Sequence, residues 1–228
     1  MPEAIGSDRA IKYFCEGNEN IVKKDFLGAI NSYSNAISIV PKHLSAYYNR
    51  GIAKNNLNDY LGAIKDFSIV IEINPLHINA YFNRGIVNKK TKQYDNAISD
   101  FTEVIHIKSN HENALFQRGL TLNKISQYKD SIKDFNSVIA INPNNFNAYC
   151  YRGIVKVKLS EYQDALSDFS KGIDINPNHA LSFRNLGNIK HRLYGLDHGC
   201  NEWRMAAELG DEVAKGKLEK NCSRSNKN

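Results

Sequence analysis

An all-α array of paired helices is the fold class that the sequence predicts, on three observations. Prolines stand at 41, 75, 143 and 177, a 34-residue period with Ser109 at the vacant middle place. Glycine recurs on the same period at Gly17, Gly51, Gly85, Gly119, Gly153 and Gly187. Sixteen residues after each glycine comes a large ring: Tyr33, Phe67, Phe101, Phe135, Phe169 and Trp203. A period of this size is the signature of a stacked repeat, each copy too small to bury its own apolar face.

Setting each proline at place 32 defines six units of 34 residues, at 10–43, 44–77, 78–111, 112–145, 146–179 and 180–213, after an N-terminal extension over 1–9. Inside a unit the apolar residues run at steps of three and four, as in Ala63, Ile64, Phe67, Val70 and Ile71, which is helical spacing. The β-branched run Ile69, Val70, Ile71, Ile73 favours a strand by composition, yet the window from Tyr60 is too long for one. Each unit therefore predicts two antiparallel helices, at places 2–14 and 17–30, with a turn such as Asn58-Asp59 between them and an Asn74-Pro75 type of stop after them. A mid-helix glycine disfavours the helix by about 1 kcal/mol relative to alanine, so the glycine column at place 8 predicts close helix contact. Small residues at place 20 (Ala29, Ala63, Ala97, Ser131, Ala165, Gly199) lie one turn from the aromatic column. Gly210-Asp211 then ends the last repeat and opens a capping helix at 211–222, with Val213, Ala214 and Leu218 on one side. Residues 223–228 read as a disordered basic tail.

Composition excludes several classes. With 42% hydrophobic and 24% charged residues the chain is ordinary globular material. No apolar run reaches the length of a membrane span, and Met1–Ile11 lacks a signal core, which predicts a cytoplasmic location while leaving export of a longer precursor open. The net charge of +6 is concentrated at the end, where Lys215, Lys217, Lys220, Arg224 and Lys227 against Glu219 leave +4. A nearly neutral body is a weak footprint for nucleic acid.

Aromatics at place 4 (Tyr13, Tyr47, Tyr81, Tyr149, Phe183, with Leu115 in the fourth unit) and place 17 (Phe26, Tyr60, Tyr94, Tyr128, Tyr162) complete the pattern. With glycine at 8, a small residue at 20, an aromatic at 24 and proline at 32, residues 10–213 resemble the tetratricopeptide repeat. The resemblance implies a right-handed superhelical solenoid with a groove lined by the first helices, and a scaffold that binds proteins. It implies no catalysis and no cofactor.

The pattern departs from that family at place 7, usually Leu and here Arg50, Arg84, Arg118 and Arg152, and at place 23, here Asp66, Asp100, Asp134 and Asp168. The first and sixth units have Glu16 with Ser32 and Leu186 with Glu202, so the arginine and the aspartate come and go together. Arg to Asp ion pairs within a unit or between neighbours are expected, since an unpaired buried guanidinium is strongly unfavourable.

In the family, places 2, 5, 9, 12 and 13 face the groove. Here they imply an apolar floor of Tyr48, Phe82 and Phe116 with Ile52, Ile86 and Leu120, edged by Lys89 and Lys124. Such a stripe suits a peptide with hydrophobic anchors and some acidic character; packing of the same aromatics on neighbouring helices is the alternative. Place 6 adds Asn49, Asn83, Gln117 and Asn185, carboxamides able to grip an extended backbone. The carboxylate clamp of chaperone-tail-binding relatives is not expected: its places hold Phe14, Asn18, Asn49, Asn79 and Asn83, without any of the three cations.

His43, His77, His111 and His179 recur at place 34, about one helix-packing distance apart, too far to share a metal; they read as helix caps. Nucleophile-elbow, zincin and phosphate-loop motifs are missing. Cys200 and Cys222 fall on two packed helices and are expected to be neighbours with free thiols rather than bonded. The function that follows is a noncatalytic adaptor holding a peptide or protein in its groove. A self-associating assembly protein is the alternative, and a nucleic-acid solenoid comes third.

Overall fold

The computed structural model describes residues 2–222, in which there are thirteen α-helices, one 3-10 helix and no strand. In order these are α1 (Pro2–Val22), α2 (Phe26–Ile39), α3 (Leu44–Asn56), α4 (Tyr60–Ile73), α5 (Ile78–Lys90), α6 (Tyr94–Ile107), α7 (Glu112–Lys124), α8 (Tyr128–Ile141), α9 (Phe146–Lys158), α10 (Tyr162–Ile175) and α11 (Ala180–Tyr194). The 3-10 helix (Leu196–Gly199), α12 (Cys200–Glu208) and α13 (Glu212–Cys222) follow. First helices of the second to fifth units thus occupy places 1–13 and second helices places 17–30. The N-terminal extension is itself helical, since α1 begins at Pro2. The tail over 223–228 lies outside the described residues.

Packing divides the chain into two compact units, Met1–Ala114 and Leu115–Asn228. Contacts in a repeat array reach only the neighbouring copy, so no core runs through the whole chain.

In the first unit α1 packs on α2, α2 on α3, α3 on α4, α4 on α5 and α5 on α6. Tyr33, Phe67 and Phe101 are fully buried there. The glycine column is what admits them: a Cβ on Gly51 would lie 2.8 Å from Phe67 Cε1, and one on Gly85 2.8 Å from Phe101 Cε1. Each tight turn between paired helices carries one residue with left-handed backbone, such as Asn58 (φ 61°) and Lys92 (φ 61°). Asparagine visits that region readily and lysine does not, so the turn geometry dominates propensity at Lys92.

The second unit repeats the scheme with Phe135, Phe169 and Trp203 fully buried. Its last repeat is irregular: α11 runs on to Tyr194, Gly195 takes φ 103°, and the 3-10 helix stands where a second helix starts elsewhere. Close approach there is backbone to backbone, with Gly199 so near that a Cβ on it would sit 2.4 Å from the Gly187 carbonyl oxygen.

Cys200 and Cys222 are joined by a disulfide, with Cα atoms 5.9 Å apart. This corrects the expectation of two free thiols. α12 and α13 pack against each other, which sets the first residue of one beside the last residue of the other. Closing a loop of 22 residues restricts the unfolded chain and stabilises the cap by about 3 kcal/mol on the chain-entropy model. Cys222→Ser is expected to lose that amount, read as a lower urea midpoint from Trp203 fluorescence, while Cys15→Ser at an exposed free thiol leaves it unchanged.

His43, His77 and His111 cap first helices with their side chains, whereas His179 makes no such cap and sets Nδ1 2.7 Å from Ser182 Oγ. Nδ1 of His43, His77 and His111 accepts the backbone N–H of Ala46, Ala80 and Ala114 at 3.2, 3.0 and 3.1 Å, and Asn145 Oδ1 does the same for Ala148 at 2.9 Å. An accepting Nδ1 is unprotonated. Burial, and then the charge of Lys108, pulls His111 below the ordinary imidazole pKa, and burial pulls His179 down as well. At His111 and His179 the unfolded chain therefore binds more protons, so the stability these two residues contribute is present above about pH 6.5 and lost as pH falls below it. His111→Asn, which copies Asn145, is expected to flatten the fall in urea midpoint between pH 7.5 and 5.5; an unchanged slope would remove His111 from the account.

Candidate functional site

Each arginine at place 7 reaches the aspartate of its own repeat through two nitrogens. Arg50 Nε and Nη2 donate to Asp66 at 2.9 and 2.7 Å, Arg118 to Asp134 at 2.9 and 2.7 Å, and Arg152 Nε to Asp168 at 2.9 Å with Nη2 alongside. Arg84 Nη2 donates to Asp100 at 2.7 Å. The remaining arm turns back to the preceding repeat: Arg50 Nη1 donates to Ser34 Oγ at 3.0 Å, Arg84 Nη1 to Ser68 Oγ at 2.8 Å and Arg152 Nη1 to Asn136 Oδ1 at 2.6 Å. The aspartates are buried, 1% to 4% exposed, so these pairs belong to the framework and not to an open catalytic site.

A second column that sequence reading missed lies at place 11. Lys54 and Lys156 set their ammonium groups 2.8 and 2.9 Å from the same carboxylates of Asp66 and Asp168, and Lys190 pairs with Glu202 in the last repeat. Asn88 takes this position against Asp100 with a 2.9 Å hydrogen bond, and Leu122 takes it in the fourth repeat. The signal was spacing, since places 11 and 23 are always 12 residues apart; the changing residue type hid it.

The groove residues expected from the sequence divide between the two units. In Met1–Ala114, Tyr48 and Phe82 are half-buried. Their rings lie 5.9 Å from Phe67 and 5.8 Å from Phe101 on one side, and 5.1 Å from His77 and 5.5 Å from His111 on the other. Neither is a freely exposed anchor. Burial pushes the Tyr48 phenol above its ordinary pKa, and its oxygen accepts Asn83 Nδ2 at 2.9 Å. Asn49 Nδ2 donates to Asn18 Oδ1 at 3.1 Å, which also accepts the Tyr33 hydroxyl at 2.8 Å. One N–H of Asn49 and one of Asn83 are thus engaged within the protein, as is the carbonyl oxygen of Asn18. Between α1 and α3 a cavity of about 180 Å³ opens, lined by Asn18, Ile21, Tyr33, Asn49 and Ile52. Ile86 is half-buried and Lys89 partly so at the edge.

In Leu115–Asn228, Phe116 lies 5.7 Å from Phe135 and 5.7 Å from Tyr151. Gln117 and Leu120 are half-buried and Lys124 is exposed, while Asn185 Nδ2 donates back to the Leu181 carbonyl at 2.9 Å. The aromatic column breaks at Cys150, which is fully buried and whose thiol is pushed up to about 11 by desolvation. Tyr151, one place later, supplies the ring instead, stacking 6.4 Å from Phe135. No group of three or more metal-ligating side chains occurs among the described residues, nor any helix long and apolar enough to cross a membrane.

Comparison with known proteins points one way. Residues 78–111 and 112–145 each match the family model for the tetratricopeptide repeat. No curated protein sequence matches the chain. Among solved structures, the crystal structure of MamA protein is 20% identical, covers 76% of this chain and 94% of its own, and superposes with a TM-score of 0.72. YrrB, described as a TPR protein with an unusual peptide-binding site, is 19% identical over 82% of this chain and 97% of its own, with a TM-score of 0.68. A tetratricopeptide repeat protein from Parabacteroides merdae ATCC 43184 is 16% identical over 93% and 98%, with a TM-score of 0.71.

Proposed function

We propose that the chain, a tetratricopeptide repeat protein, works as a noncatalytic scaffold that binds an extended peptide or protein segment against its first helices. Repeats of this type generally mediate protein–protein interaction. The observation that carries the reading is the cavity between α1 and α3, where Ile21 and Ile52 supply apolar walls and the amides of Asn18 and Asn49 stand at the same opening. An apolar pocket with a few convergent polar groups is the ordinary form of a ligand site. Amides beside it suit a peptide backbone, with one aliphatic side chain entering the pocket. Tyr48 and Phe82 lie in the same compact unit without lining this cavity, and Phe116 belongs to the other unit. The peptide-binding site in the description of YrrB agrees with this use of the fold.

The reading is tested by panning a random-peptide phage library on the full chain and measuring the selected peptides by calorimetry. Binding is expected to weaken at least tenfold in Asn49→Ala combined with Ile52→Ala, with circular dichroism unchanged, and to survive Ile141→Ala at a surface residue elsewhere. Peptides that bind the double variant as tightly as the parent would refute a site at α1 and α3.

Cytoplasmic residence is a separate proposal and one that the 200–222 disulfide opposes, because the cytosol keeps thiols reduced. The mass of protein alkylated at harvest from its own cells settles the compartment: two added groups on Cys200 and Cys222 fit the cytoplasm, none fits an oxidising one.

A further inference from the structure

We propose that the third repeat contains a binding site for a primary ammonium group, in the cavity left between α4 and α6 where Asn88 replaces a lysine. The site is independent of the peptide groove.

The comparison that carries it is internal to the chain. At place 11 the second, fifth and sixth repeats each carry a lysine whose ammonium sits on the buried acid of place 23. The fourth repeat fills the same space with Leu122, 5% exposed. In the third repeat the side chain of Asn88 is shorter than lysine by the ammonium and the methylene that carries it. Asn88 Nδ2 donates to Asp100 Oδ2 at 2.9 Å, and outside it remains a cavity of about 280 Å³ whose wall includes Ser68, Arg84, Asn88, Asn96, Ser99 and Asp100.

Apart from Ile64 and the Arg84 guanidinium, which is held on Asp100 and Ser68, the wall carries hydrogen-bond acceptors. Because Nδ2 of Asn88 faces the carboxylate, its Oδ1 is the end directed away from Asp100. The Ser99 hydroxyl and the Asn96 carbonyl add oxygens of the kind that three ammonium N–H donors require, while Ser68 Oγ already accepts Arg84 and Gln93 Oε1 already accepts Asn96. Gln93, Asn96 and Ser99 are exposed, so the cavity is open to solvent.

Charge favours a cation. In the second repeat Arg50 and Lys54 together outnumber Asp66, and Lys65 stands at place 22; in the third Arg84 alone faces Asp100, and place 22 is Ser99. One cation fewer is present around an equally buried acid. Burial raises the Asp100 carboxyl above its ordinary pKa against the opposing pull of Arg84 and Asn88, with a smaller rise from Glu103.

The chemistry selects the ligand. Calcium needs six to eight oxygens and magnesium near-octahedral geometry, usually from more than one carboxylate, and here there is a single carboxylate already shared with Arg84. A planar guanidinium would compete with Arg84 for the same edge. A tetrahedral ammonium is what the sister repeats place at this spot. It can arrive on a free small amine or as the tip of a lysine on a partner protein.

The experiment uses the full ¹⁵N-labelled chain, following the side-chain amides of Gln93 and Asn96 during titration with methylammonium chloride, and with tetramethylammonium chloride at equal ionic strength. A saturable shift is expected with methylammonium and none with tetramethylammonium, which has no N–H to donate. Asn88→Lys and Asn88→Leu reproduce arrangements that the second and fourth repeats already fold with, and both are expected to weaken the response at least tenfold. Nα-acetyl-lysine amide binding tenfold tighter than methylammonium assigns the site to a lysine side chain, and equal binding assigns it to free amines. Equal shifts with both salts, no saturation by about 100 mM, a range that spans weak binding, or a response retained in either variant would overturn the proposal.

Discussion

Replacing Asp134 by alanine is expected to destabilise the Leu115–Asn228 unit by about 3–5 kcal/mol, as removal of one partner from a buried pair does. Asp134 is 4% exposed and takes both Nε and Nη2 of Arg118. Leu122 at place 11 adds no second polar group to this carboxylate, and the deletion removes the acceptor of two N–H groups of a guanidinium whose side chain is 21% exposed. The same physics makes the pair itself replaceable: Arg118→Met with Asp134→Leu is expected to recover most of the loss, because apolar residues of similar volume relieve the desolvation of both charges. Trp203, the sole tryptophan, lies in this unit and reports its urea transition by fluorescence. A single variant costing under 1 kcal/mol, or a double variant no better than the single one, would contradict the account.

Phe101→Ala is expected to cost about 3–5 kcal/mol, the range for a large side chain removed from a packed core. Phe101 is fully buried and meets both Gly85 on α5 and Phe82 across a ring distance of 5.8 Å. The ring and the glycine are complementary halves of one contact. Gly85→Ala would place a methyl 2.8 Å from Phe101 Cε1, so it is expected to destabilise by about 1–3 kcal/mol through overpacking, against its gain in helix propensity. Combining Gly85→Ala with Phe101→Leu is expected to cost less than the sum of the two, since leucine vacates the space that the methyl enters. Hydrogen exchange along α5 and α6 measures all three. Gly216, with nothing within 4 Å of its would-be Cβ, provides the opposite sign: Gly216→Ala is expected to stabilise α13 by up to about 1 kcal/mol.

Much of this was legible because the 34-residue period samples each contact six times. Glycine facing a ring, and arginine rising and falling with aspartate, are coincidences that one copy could not have exposed. The partner at place 11 was not legible: lysine, asparagine and leucine solve one packing problem by three chemistries, and a column of mixed residues resembles a variable surface. The substitution at Cys150 hid in the same way, since the ring moved one place to Tyr151 rather than disappearing. The 3-10 turn at Leu196–Gly199 followed from backbone crowding between Gly187 and Gly199, which only coordinates reveal. For the residues expected to line a groove, the period names the positions but not how far each side chain is buried. Aromatics read as anchors are half spent on their own second helices, because a ring at place 5 lies within reach of the ring at place 24.

The two-way reach of the arginines sets a length gauge. Arg50 finds Asp66 sixteen residues ahead and Ser34 sixteen behind, and Arg84 and Arg152 keep the same two intervals. One interval spans the turn inside a repeat and the other the loop between repeats. An insertion or deletion of even one residue in either connection shifts a donor off its acceptor, and the connections of these repeats therefore cannot drift in length as surface loops ordinarily do.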